Sequence, residues 1–76
     1  MEAAEYLKRP YGRLLLPDPD AGFAAEIVEF PGCIAIGKTA ADALNNLEEV
    51  AIEWINACLE QGQEIPEPFD PRSSLT

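Results

Sequence analysis

Residues 32–39, GCIAIGKT, satisfy the Gly-x-x-x-x-Gly-Lys-Thr pattern whose backbone N–H groups cradle nucleotide phosphates. That chemistry needs the four variable positions to curl as a loop. Here they are Cys33, Ile34, Ala35 and Ile36, apolar and partly β-branched, which favours an extended strand. Pro31 stands between the preceding apolar run and Gly32, so Pro31-Gly32 reads as a turn dipeptide. No later apolar run ends in an acid placed to hold magnesium. The residues read instead as a strand leaving through Gly37, an exposed Lys38 and a helix cap at Thr39. The pattern match is accidental.

Other reactive groups are sparse. The chain has no histidine, so the usual proton shuttle is missing. Ser73 and Ser74 have no base nearby in sequence. Asp18 and Asp20 fall in a turn, where backbone hydrogen bonding is the ordinary role, and Glu26 and Glu29 are placed to face opposite sides of a strand. Cys33 and Cys58 read as small buried hydrophobes rather than a disulfide or metal cage. No catalytic residue, cofactor or metal ligand is expected, and the chain is expected not to be an enzyme.

The elements that would position any site follow from the pattern along the chain. With 76 residues there is room for one domain, of marginal stability unless something supplements it. Residues 1–10 read as a short N-terminal helix, 11–68 as the core and 69–76 as a flexible tail. YGRLLL (11–16), FAAEIVEF (23–30) and CIAIG (33–37) read as three strands joined by PDPDAG and Pro31-Gly32, an antiparallel meander. Thr39 can cap a long helix running from Ala40 to Gln61, with Gly62 as its left-handed stop. Ile65 is expected to add a short C-terminal strand. The fold class is α+β: a three-stranded meander with one long helix across it. No segment resembles a signal peptide or a membrane span, and a cytoplasmic setting is expected.

That helix carries more apolar surface than one sheet needs. At 100° per residue its apolar arc covers about 220°, against a little over 100° for an ordinary surface helix. Leu44, Leu47, Ala51, Trp54 and Cys58 form its centre, and Ile52 and Leu59 lie at the edge, where they would remain partly exposed. The chain also holds 14 acidic and 5 basic residues, a net charge of −9. Such a balance weighs against nucleic acid and anionic membranes and favours a basic protein partner. The candidate partner-binding residues are Glu49, Glu53 and Glu60 for charge, and Ile52, Trp54 and Leu59 for packing. A second copy of the chain is the alternative occupant of the apolar edge, which makes a homo-oligomer expected.

The order Asp20-Ala21-Gly22-Phe23, Phe30-Pro31-Gly32-Cys33, Gly37-Lys38-Thr39, Asp42-Ala43, Asn46-Leu47, Glu53-Trp54, Gly62 and Ile65-Pro66-Glu67-Pro68 resembles the HicB antitoxin family. The resemblance covers residues 11–68. It implies a partial RNase H-like fold and the neutralisation of a HicA-type toxin, a small basic mRNA-cleaving ribonuclease. Lys38 departs from the acidic residue common there. Many members of that family carry a C-terminal DNA-binding domain; none is matched here, so operator binding is not expected. The resemblance also allows a stand-alone, self-associating protein without a toxin.

Overall fold

Turns set the architecture, because each one fixes which side chains share a face. The computed structural model describes residues 2–69. In chain order these form α1 (Ala3–Tyr6), β1 (Arg13–Asp18), β2 (Gly22–Ile27), β3 (Ile34–Gly37) and α2 (Ala40–Glu60). The strands make one antiparallel sheet in the order β1-β2-β3, and α2 packs across it, mainly over β3 and β2. This is the expected α+β arrangement. No helix among the described residues is long and apolar enough to cross a membrane.

The β1–β2 turn is held by Asp18, whose Oδ1 accepts from the N–H groups of Asp20 at 2.8 Å and Ala21 at 2.9 Å. Pro17, expected to end β1, lies inside it opposite Phe23. Val28 N–H donates to Gly12 O, so the hydrogen-bonded pairs of this ladder fall at even positions of β1. Pro17 therefore turns its N–H-less nitrogen to the free edge, where no ladder bond is lost. β2 stops at Ile27, earlier than expected, because two turns follow in succession. Phe30 N–H donates to Ile27 O and Cys33 N–H to Phe30 O, both at 3.1 Å. With Pro31 second and Gly32 third at φ 80°, the latter is a type II turn.

Thr39 caps α2 as its position predicts, its Oγ1 accepting from Asp42 N–H at 3.1 Å. At the other end Gln63 N–H donates to Cys58 O and Gly62 N–H to Leu59 O, the double bond pattern of a Schellman stop. The expected strand at Ile65 does not form: residues 63–69 are irregular. Ile65 instead packs its side chain against the core, and Tyr11 Oη donates to Pro66 O at 2.6 Å, so this stretch is tied down by side chains and not by a ladder. The tail beyond Phe69 lies outside the described residues.

The buried stripe of α2 is Ala43, Leu47, Ala51, Ile55 and Cys58. It meets Ala25, Ile27 and Ala35 of the sheet and Phe30 and Cys33 of the turn. Relative to the expected centre, Ala43 and Ile55 replace Leu44 and Trp54, which are only partly covered. Both cysteines are free and buried, and burial pushes the Cys33 thiol above its usual 9.0, its backbone hydrogen bond to Ile27 opposing this.

Gly37 explains the look-alike motif. A Cβ at this position would stand 2.4 Å from Ala43 N and 2.7 Å from Asp42 C, so the glycine is what lets the first turn of α2 sit on the end of β3. Gly37→Ala should destabilise the fold by about 2 kcal/mol or more, while Lys38→Ala, at an exposed position, should stay within about 0.5 kcal/mol; urea unfolding of the two variants checks this, and a phosphate-cradling role would give the opposite ranking for nucleotide binding. The Asp18 carboxyl is held below its usual 3.8, first by the Ala21 N–H and then by that of Asp20. A depressed folded pKa means that its contribution to the hairpin is complete above pH 3.8 and is lost as pH falls through the lower folded value. A carboxyl-carbon NMR titration should place the Asp18 midpoint below that of an unfolded reference, and Asp18→Asn should remove this part of the acid dependence.

Candidate partner-binding surface

The acidic residues singled out from the sequence do lie together. Glu49, Glu53 and Glu60 are all exposed on α2, and with Asp42 they fall within about 40° of one another around the helix. They form a line about 27 Å long on the side directed away from the sheet. Among the described residues, none of the four side chains has an ion pair. Glu48, the one acid inside the apolar arc, behaves differently. It receives Arg13 Nη2 at 2.7 Å and Nε at 3.1 Å, bridging β1 to α2 where the helix leaves the edge strand uncovered.

The apolar candidates do not join that line as one patch. Trp54 lies to one side of it, stacked on Phe30 with ring centroids 4.4 Å apart and planes 5° from parallel. Its Nε1–H donates to Pro31 O at 3.0 Å. Tyr11 completes the group on Phe30, at 4.6 Å between centroids. Trp54 is therefore a clamp between α2 and the β2–β3 turn, with only part of its surface left to meet another molecule. Ile52 and Leu59 lie on the other side of the acidic line. Ile52 is half-buried and packs on the core. Leu59 keeps 40% of its surface exposed in an open groove between Tyr6 of α1 and Gln63, Ile65 and Pro66. The excess apolar arc is thus partly used by the chain itself.

The larger uncovered apolar surface is elsewhere. The register places Leu14, Glu26 and Ile34 in one cross-strand row and Leu16, Ala24 and Ile36 in the next. These side chains alternate with the buried Ala25, Ile27 and Ala35, so they face away from α2. Leu14, Leu16, Ile34, Ile36 and, beyond β2, Val28 keep between 41 and 57% of their surface exposed. An antiparallel sheet with one covered face ordinarily carries polar residues on the other. Here Glu26 is the only charged residue in those two rows.

Sequence reasoning missed this face, although the signal was present. Glu26 marks the outward side of β2, and the short β1–β2 turn fixes the register that assigns Leu14 and Leu16 to the same side. Among the described residues no group of three or more metal-ligating side chains is gathered.

Replacing Trp54 separates its two roles. Trp54→Phe, which keeps a ring but loses the bond to Pro31, should cost about 1 kcal/mol; Trp54→Ala should cost about 3 kcal/mol. Equal losses in thermal or urea unfolding would mean that the ring stack contributes nothing.

The model of the family described as UPF0150-like matches residues 1–66. No curated protein matches the chain, and neither does any solved structure.

Proposed function

The chain belongs to the UPF0150-like family, which is HicB-related, and from that premise we propose that it is a non-enzymatic protein-binding module that neutralises a small basic ribonuclease of the HicA type in the cytoplasm. The observation that carries this reading is the unpaired acidic line of Asp42, Glu49, Glu53 and Glu60 on the outward side of α2. A row of exposed carboxylates on a chain of net charge −9 attracts a cationic surface from a distance and orients it on approach. Leu59 and the exposed part of Ile52 flank the line on one side and Trp54 on the other, which gives the docked partner apolar contacts at its rim. A ribonuclease held this way has the basic surface it uses for RNA phosphates occupied by carboxylates.

Self-association is the second reading, favoured by the exposure of Leu59 beside the open groove; the like charge of two copies opposes it. Co-expression separates the two. The chain should restore growth to cells producing a cognate HicA-type ribonuclease, and RNA in those cells should stay intact. Glu49→Lys, Glu53→Lys and Glu60→Lys combined should abolish rescue and slow association by at least about tenfold at low salt, with unfolding midpoints little changed because all three positions are exposed. Absence of rescue by the wild-type chain would refute the antitoxin reading, and a dimer at micromolar concentration that Leu59→Glu dissociates would favour the second.

A further inference from the structure

The outer face of the sheet supports an inference that goes beyond this reading. Along the centre of the face run the side chains of β2, Glu26 followed by the small Ala24. On either side stand ridges, Leu14 and Leu16 on β1 and Ile34 and Ile36 on β3. The result is a shallow trough whose hollow is lined by Leu14, Leu16, Ala24, Glu26 and Ile34, with Ile36 continuing the β3 ridge beside Ala24. The ridges lie about 9.6 Å apart, two inter-strand spacings, which is close to the diameter of one α-helix with its side chains. The inner face of the same sheet is already covered by one helix. A three-stranded sheet therefore takes one helix per face.

Charge selects the kind of helix. Glu26 is half-buried at the end of the trough, and among the described residues its carboxylate has neither an ion pair nor a hydrogen bond. Arg13 and Glu48 are engaged with each other on the inner side. An apolar partner covering Glu26 would strand a charge out of water, which costs heavily unless a cation meets it. A second copy laid on the face would bring a second Glu26 and no cation in these rows.

We infer that the trough of Leu14, Leu16, Ala24, Ile34 and Ile36 is a docking site for an amphipathic helix of a basic protein, whose apolar stripe carries one lysine or arginine opposite Glu26. This site is separate from the acidic line of α2, because the two occupy opposite sides of the helix-on-sheet layers.

The test uses the full chain, labelled with ¹⁵N, and three synthetic helical peptides of about 15 residues. The peptides share one apolar stripe and differ at its central position, which is Lys, Gln or Glu. The Lys peptide should shift the amides of Leu14, Leu16, Ala24, Glu26, Ile34 and Ile36, and it should bind about fivefold more tightly than the Gln peptide, with the Glu peptide weakest. Glu26→Gln should erase the order among the peptides, and Ile36→Glu should abolish binding with an unchanged melting temperature. If Ile36→Glu impairs folding, Leu16→Glu on the opposite ridge makes the same test. The inference is overturned by equal binding of the three peptides, by shifts confined to α2, or by no binding at millimolar peptide. It is also overturned if sedimentation finds a wild-type dimer that Ile36→Glu dissociates, since a second copy would then own the face. Failure of toxin rescue with the peptide order intact would refute the antitoxin reading alone.

Discussion

The close seat of α2 on the end of β3 is the constraint from which the remaining structure follows. At Gly37 the backbones come so near that even a methyl group has no space, and the interface beyond it is lined by Ala25, Ala35, Ala43 and Ala51. Small residues shorten the gap between helix and sheet but bury little area each. At the opposite end of the sheet the volume is made up by large groups, with Phe30 between Tyr11 and Trp54. Ile27, Leu47 and Ile55 fill the space between the two ends. A helix seated over β3 and β2 in this way covers β1 least. That is why Leu15, on the covered side by register, still shows 37% of its surface, and why the Arg13–Glu48 pair sits at that margin.

The residues that carry the HicB resemblance turn out to be residues that build the fold. Phe30, Pro31, Gly32 and Cys33 are one type II turn. Gly37 is the contact point for α2, Thr39 its cap and Gly62 part of its stop. Trp54 bonds back to Pro31, and Pro66 receives Tyr11. Membership of a family recognised through such positions transfers architecture. Partner choice depends on other residues, namely the exposed ridges Leu14, Leu16, Ile34 and Ile36 and the acids of α2. Most of these lie outside the recognised motif and can change without disturbing the core.

Local signals were legible in the sequence where one residue type had one physical use. Thr39 followed by Asp42, Gly62 after the periodic run, and Pro31-Gly32 between two apolar stretches each located a boundary of the fold. β2 was read too long because Val28, Glu29 and Phe30 continue an apolar alternation, and the turn closed by Phe30 N–H on Ile27 O leaves no mark in composition. Ile65 was read as a strand because a β-branched residue among prolines looks extended; its apolar side chain is used for packing, with no strand beside it to pair. For the site, the acidic line was legible because helix geometry alone aligns Glu49, Glu53 and Glu60. The outer sheet face was missed because its members come from three strands, so the signal in Glu26 and the short β1–β2 turn is read only when the register is followed across all of them. Periodicity along one element cannot show that Leu14, Glu26 and Ile34 are neighbours.

The two candidate surfaces also differ in how they feel salt. Packed layers lie about 10 Å apart and the carboxylates stand about another 5 Å beyond the helix axis, so the acidic line is about 15 Å from the sheet. At physiological ionic strength the Debye length is about 8 Å, and the field of the acids is largely screened before it reaches Glu26. The sheet face then acts through burial and one short ion pair, with little help from the net charge. At about 0.01 M salt the screening length grows to about 30 Å and the same four acids add to the pull on any cation approaching Glu26. A helix bound in the trough therefore loses, on raising salt, mainly the long-range part of its attraction. It keeps the apolar contact with Leu14, Leu16, Ile34 and Ile36, whereas a partner on the acidic line loses its charge attraction and keeps only the rim contacts with Leu59, Ile52 and Trp54.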